Sequence, residues 1–419
     1  MKKLASLVSL ALVATALALP ALAEEGDTAK TTIPHLDHVF VIMMENHAYG
    51  QIVGNKDAPF ANSYMKSANM ATKYYAVGHP SSTNYLEIVG GSNFGVRSDN
   101  GPDWHNGSCT PNLQTNPPAT NFDKPNSGPV CPIYGTGTDA ATPVIDNSGN
   151  ECPASNPNCS LVDVDGKLGF DAASNTVGKT IVDQLAERSL TWKSYQESLP
   201  PSGADNVTYS DGYFTDLSDL PSFGISSGDF LKLYAAKHNP FVYFKSVQDD
   251  PKALAKVVGF EGKGGLWEDL TKGKVPDFSF IVPNQCNDQH GRANGGSQCD
   301  FDPETNGTQV GLNPALIYVG DLKLGSIVHA IHASKAWREG RNAIVVVWDE
   351  NDYSFAPNVN QVLLIVDTNY GHHGVTSSTF YTHFSLLRSL EDGLGLPCLN
   401  HACDKATNIM TDLFARGDE

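Results

Sequence analysis

Hydrophobic residues in this chain come as short unbroken runs, with stretches of helical pattern between several of them. Val39 to Met44 is apolar at every position and stops abruptly at Glu45-Asn46, the pattern of a strand covered on both faces. Ala343 to Trp348 repeats this pattern and stops at Asp349-Glu350. Shorter strands are predicted at Lys73–Val77, Leu190–Tyr195, Phe241–Phe244, Asp277–Pro283 and Gln361–Val366. Helices are predicted from Ala58 to about Tyr75, after Asn84, and over Val177–Ser189, Gly264–Lys272, Val319–Arg338 and His383–Asp392. Pro59 suits a first turn, and Gly393 is placed to stop the last helix. This alternation predicts an α/β fold, with a largely parallel sheet and helices on both faces. Asn93 to Asp171 breaks the pattern: it is rich in Gly, Pro, Asn, Ser and Thr and too long for an ordinary loop. It reads as a cap inserted into one domain spanning 35–419, behind a loose segment, 24–34.

The beginning of the chain adds a compartment. Met1-Lys2-Lys3, an uncharged apolar stretch from Leu4 to Leu19, and Ala21-Leu22-Ala23 before Glu24 form a secretory leader, residues 1–23. The stretch is short for a membrane anchor. No later segment reads as long and apolar enough to cross a bilayer, so an exported protein of periplasm or exterior, without an integral membrane segment, is expected. Losing Lys2 and Lys3 takes the net charge from −18 to −20, which argues against a nucleic-acid surface. An acidic protein that holds a small phosphorylated substrate needs a local positive centre, and a metal ion supplies one. The eight cysteines fall into neighbours, 109 with 131, 152 with 159, 286 with 299 and 398 with 403. In an exported chain four local disulfides are the simplest connectivity, and no Cys-x-x-Cys spacing suggests zinc thiolates.

Candidate chemistry lies where the strands stop. In open α/β sheets ligands bind at the carboxyl ends of strands. Glu45-Asn46 and Asp349-Glu350 at one rim offer an oxygen-rich cation site; taken singly, each pair serves equally well to cap a turn. Between them in sequence, Gly78-His79-Pro80-Ser81-Ser82-Thr83-Asn84 leads into a helical pattern. Ser81 thus sits at a helix start, where amide groups and the dipole stabilise phosphate. A hydroxyl there, touching a metal, is readily deprotonated. Capping is the plainer use of the same serines and threonine.

Six segments carry a resemblance: VFVIMMENHAY (39–49), HPSSTNYLEIVGG (79–91), TWKSYQES (191–198), VPNQCNDQH (282–290), VVVWDE (345–350) and YTHFSLLRSLED (381–392). In this order they resemble the phosphoesterase family of acid phosphatases and phosphatidylcholine-type phospholipases C, a branch of the alkaline-phosphatase-like superfamily. The resemblance implies that Glu45, Asn46, Asp349 and Glu350 ligate a metal together with Ser81, the nucleophile, three residues before Asn84. It implies that His290 contacts phosphate or donates a proton. Family members carry Leu-Pro where this chain has Ser82-Thr83, which leaves Ser82 in competition with Ser81. Asn84, His79, His372 and His373 are further candidates for the substrate, with His105 and His383 weaker.

The resemblance implies a divalent metal, calcium, magnesium, manganese, zinc or iron, and a phosphoserine intermediate. Glu45-Asn46-His47-Ala48-Tyr49 favours a phosphomonoesterase, with a phospholipase C-type diesterase as the alternative. A solute-binding protein needs no nucleophile and predicts two similar lobes. A sulfatase expects a modification motif that this sequence lacks.

Overall fold

A computed structural model describes residues 32–96, 98–110, 113, 128–139, 173–210, 232–292, 295–304, 306–352 and 360–414. Eight strands form one sheet: β1 (His38–Met44), β2 (Asn69–Ala71), β3 (Trp192–Gln196), β4 (Val257–Val258), β5 (Phe278–Val282), β6 (Asn342–Trp348), β7 (Leu364–Thr368) and β8 (Thr376–Ser377), in spatial order β8-β2-β7-β6-β1-β5-β3-β4. From β6 to β4 every pairing is parallel, whereas β7 runs antiparallel to both β6 and β2. All seven residues of β6 are buried. Because successive strand residues point to opposite faces, both faces of the sheet are covered there. The largely parallel α/β architecture is as the alternation predicts.

The longer helices among the described residues are α1 (Pro59–Ser67), α2 (Ser81–Gly90), α3 (Ile181–Glu187), α4 (Leu266–Lys272), α5 (Pro314–Ala333) and α6 (His383–Gly393). α5 packs on α1 and α4, while α2 packs on α3 and α6. Three local readings change. The helix expected to run from Ala58 to about Tyr75 stops at Ser67, because Asn69–Ala71 is captured as a strand between β7 and β8. Phe241–Phe244 is not a strand: Pro240 opens a 3-10 turn to Tyr243, and Phe241 packs on Trp192 and Phe280. α5 starts at Pro314, before the expected Val319, because the Asn313 side chain caps the Ala315 and Leu316 amides. By length and composition α5 suffices to cross a membrane, contrary to the expectation that no later segment would. Its Leu316, Leu324, Ile327, Val328 and Ile331 are buried in this protein.

Cys109–Cys131, Cys286–Cys299 and Cys398–Cys403 are bonded as their spacing predicts, and Cys152 and Cys159 lie outside the described residues. Most of the expected cap, with the whole leader, also lies outside them. Its residues 128–139 join the domain through a bridge from Ile133 to Phe244 and through buried Asp139.

Candidate active site

Strand register builds the rim. Met44 lies beside Trp348 across the β1–β6 pair, and the Asp349 amide donates to the Met44 carbonyl at 3.0 Å. The two acidic endings are thereby side by side, both buried. Ser81, the first residue of α2, meets them: its Oγ lies 3.2 Å from Glu45 Oε2 and donates to Glu350 Oε1 at 2.9 Å. The competing hydroxyl, Ser82 Oγ, donates instead to the Ser98 carbonyl at 2.6 Å. One helical step of about 100° separates the two side chains, so only one faces the carboxylates.

Neighbours of Ser81 hold the turn. Asn84 Oδ1 accepts the Val77 and Gly78 amides, while its Nδ2 donates to the Gly78 carbonyl at 2.7 Å and to Glu350 Oε2 at 3.2 Å. These hydrogen bonds fasten the turn before α2 and tie it to Glu350. His79 is buried with Nδ1 2.7 Å from Glu350 Oε2, so it supports a carboxylate of the rim. Asn46 occupies the left-handed region (φ 24°), and its amide donates to Asp349 Oδ1 at 3.1 Å.

Packing acids this closely perturbs them. Burial, with Glu350 adding and Lys237 opposing, pushes Glu45 up to about 8. Burial, then Glu45 and Glu350, hold Asp349 well above the usual carboxylate range. Among the described residues Asp349 Oδ2 is buried without a hydrogen-bond partner, and Glu45 Oε1 meets only His238 Nε2, at 3.1 Å but out of line for a hydrogen bond. Oxygens of Glu45, Asp349 and Glu350 lie within 4.8 Å of one another. Orphaned buried carboxylate oxygens converging in this way fit a hard cation, whose charge would relieve both the burial and the repulsion.

A second group enters from a side that sequence reasoning missed. Lys237 and His238 lie on a 3-10 turn, Ala236–His238, next to α2. Lys237 Nζ donates to Asp99 Oδ2 at 2.8 Å and to His290 Nε2 at 3.1 Å, and lies 3.5 Å from Ser81 Oγ. Burial alone would lower its pKa, but Asp99, Glu45 and Glu350 reverse that and raise it. His238 stacks on Tyr85, with Nε2 3.1 Å from Glu45 Oε1 and Nδ1 3.3 Å from Asp288 Oδ2. The signal available was Lys-His before Asn-Pro-Phe, hidden inside a stretch with no strong period.

His290, expected to contact phosphate or to donate a proton, reaches the site beside Lys237. Its Nδ1 faces the Gly291 carbonyl at 2.9 Å, which only accepts, and its Nε2 faces an ammonium, which only donates. The ring is therefore neutral, with its lone pair toward Lys237; burial and Lys237 push it down to about 3. His383 is also interior: its Nε2 donates to the Asp349 carbonyl at 2.6 Å while Nδ1 meets Tyr74 Oη at 2.7 Å. It braces the rim from behind. His105 pairs with Asp205 at 2.7 Å on the surface.

His372 and His373 are not brought to the rim. β7 is antiparallel, with Leu364 beside Val347 and Thr368 beside Ala343. The chain after Thr368 consequently leaves at the sheet end opposite Trp348, where both histidines are exposed. His373 Nδ1 there lies 3.7 Å from Asp367 Oδ1.

A mainly parallel sheet whose rim joins a serine at a helix start to clustered carboxylates defines an α/β protein with a hydrolase-like centre. The model of the Phosphoesterase family matches residues 54–299, more than half of the chain, and the chain belongs to that family. The matched span holds Ser81, Lys237 and His290; Glu45 and Asp349-Glu350 flank it. An acid phosphatase of Aspergillus fumigatus is 23% identical over 372 residues, 88% of this chain and 57% of that protein. A phosphate-repressible acid phosphatase of Penicillium chrysogenum is 28% identical over 221 residues, 52% of this chain and 43% of its own length. This chain thus spans about half the length of these fungal relatives. A phosphatidylinositol-3-phosphatase of Mycobacterium tuberculosis is 24% identical over 375 residues, 89% of this chain and 82% of that one. Among solved structures, an alkaline phosphatase superfamily protein from Vibrio parahaemolyticus is similar at TM-score 0.44 and 12% identity, covering 90% of this chain and 72% of its own.

Proposed function

We propose that this protein is an exported, metal-dependent phosphoric-ester hydrolase, an acid phosphatase working through phosphoserine at Ser81. The observation that carries the reading is Ser81 Oγ at the start of α2, 2.9 Å from Glu350 Oε1 and 3.2 Å from Glu45 Oε2. Glu45, Asp349, Glu350 and Ser81, with Asn46, are the residues that would hold one divalent ion, whether calcium, magnesium, manganese, zinc or iron. Such an ion supplies charge neutralisation and a lower hydroxyl pKa. Ser81 Oγ attacks phosphorus as the bond to the leaving oxygen breaks; its proton passes to the Glu350 carboxylate that it already faces, and the leaving oxygen takes a proton from water to depart as the alcohol. The first turn of α2 favours the added negative charge. Water then cleaves the phosphoserine, and two in-line displacements give retention at phosphorus. His290, neutral and turned to Lys237, acts as an acceptor that orients the ammonium. Export is supported by the leader-like start and the three disulfides.

Hydrolysis of p-nitrophenyl phosphate beside p-nitrophenyl phosphorylcholine, with and without chelator, tests this reading. Chelator-sensitive cleavage of the monoester is expected. Preference for the choline ester would make the protein a diesterase, and no turnover of either with any ion restored would leave a binding protein. The name of the Mycobacterium tuberculosis relative makes a phosphorylated inositol lipid a useful third substrate in the panel.

A further inference from the structure

Two groups of ligand atoms share Glu45: Glu45–Asp349–Glu350, and Glu45–His238–His290. The second has the form of a cation site. Each histidine presents Nε2 inward while an oxygen faces Nδ1, Asp288 Oδ2 for His238 and the Gly291 carbonyl for His290. Yet it is already served by a positive charge, because Lys237 Nζ hydrogen-bonds His290 Nε2 at 3.1 Å. A metal ion on that nitrogen would sit against the ammonium, and two positive charges a few ångströms apart inside a protein repel strongly. The ammonium is also well fixed. Of its three hydrogens, Asp99 Oδ2 takes one at 2.8 Å, His290 Nε2 takes a second, and the third is left for the Ser81 side at 3.5 Å. Only 10% of the side chain is exposed. Asp99 also accepts the Ser82 amide at 3.1 Å, so one carboxylate ties the ammonium to the first turn of the helix that carries Ser81.

We propose that Lys237 is a built-in second cation: a catalytic residue that holds a phosphoryl oxygen beside Ser81, so that the centre takes one metal ion instead of two. The inference rests on the phosphoesterase reading above and adds a residue that the sequence did not nominate. During attack the Ser81 oxygen–phosphorus bond forms and the bond to the leaving oxygen breaks. Lys237 transfers no proton; it donates its third hydrogen bond to the phosphoryl oxygen on which charge accumulates.

The test uses the full chain reloaded with manganese and has two readouts besides turnover: metal content per chain, and affinity for inorganic phosphate by calorimetry. The wild type is expected to hold one ion. Lys237→Met should also hold one, bind phosphate at least about tenfold more weakly, and lose about 10²- to 10³-fold in kcat/KM on p-nitrophenyl phosphate, the range for removing one charge-stabilising donor. Lys237→Arg should recover a large part of both losses. Circular dichroism checks that Lys237→Met folds; if it does not, Asp99→Asn replaces it, with the ammonium kept and its anchor weakened, and phosphate affinity is expected to fall about threefold or more. Two ions in the wild type would overturn the proposal. So would phosphate affinity and kcat/KM within threefold of wild type in a folded Lys237→Met, or unchanged phosphate affinity in Asp99→Asn should that variant be needed. A wild type that binds phosphate but hydrolyses no ester sinks the hydrolase reading alone, and the phosphate arm still decides whether Lys237 holds the anion.

Discussion

Two buried clusters in this protein use the same residue types to opposite ends. At the rim, Asp349 Oδ2 has no hydrogen-bond partner among the described residues, and Glu45 Oε1 has only a poorly aligned contact with His238 Nε2. Where His401 packs on the interior, Asp139 is also buried but fully engaged: Ser92 Oγ and Thr176 Oγ1 donate to Oδ1, while the Ala173 amide at 2.7 Å and His401 Nε2 at 2.6 Å meet Oδ2. His401 also reaches Asp404 at 2.6 Å beside the Cys398–Cys403 bond. Burial would lower the His401 pKa, but the two aspartates win and raise it. Acids and histidines in contact therefore do not mark a functional site by themselves. What sets the rim apart is convergence: oxygens of Glu45, Asp349 and Glu350 meet within 4.8 Å around the Ser81 hydroxyl, an arrangement that fits an external cation.

The comparison is broken most forcefully at the nucleophile. Ser81→Ala should cost at least about 10³-fold in kcat with phosphate binding retained, whereas Ser82→Ala should stay within about threefold, as steady-state and single-turnover kinetics would show. Next comes the filled cluster. Asp139→Ala strands His401 and several donors, and should cost on the order of 3–5 kcal/mol in denaturant unfolding while folded molecules keep their kcat. The rim should behave in reverse. For Glu45 the folded pKa, about 8, exceeds the ordinary 4.5, so metal-free protein binds more protons than the unfolded chain between those values. Its contribution to stability is present below about pH 4.5 and lost as pH rises toward 8. Melting of chelated protein should therefore fall from pH 5 to pH 8, divalent metal should restore it, and Asp349→Asn should flatten the fall. An upward slope in chelated protein would remove the charge-crowding account of the rim. Smallest of all, His372→Ala with His373→Ala should leave kcat/KM unchanged and stability within about 0.5 kcal/mol.

How much of this was legible follows from which signals are local. The rim carboxylates could be read because β1 and β6 are apolar at every position after the first and stop at acids, and parallel neighbours bring like ends together. Ser81 was legible through its segment's resemblance, and its preference over Ser82 emerges only from where each hydroxyl points. His372 and His373 were misassigned because nothing local announces that β7 runs antiparallel, which sends the chain after it to the far end. Lys237 and His238 were invisible because a 3-10 turn has neither the period of a helix nor that of a strand. The hydrogen-bonded setting of His290 was hidden for a similar reason: it is made by Gly291 and Lys237, and Lys237 is 53 positions away.

All ten residues of α2 are buried. In hydrogen-exchange terms, its amides should open only with the global unfolding of the domain and not by local fraying. The Ser81 hydroxyl, the proposed nucleophile, is thus mounted on one of the slowest-breathing parts of the molecule. Adaptation to substrates of different shape must then come from the loops around the rim, while Ser81 stays still.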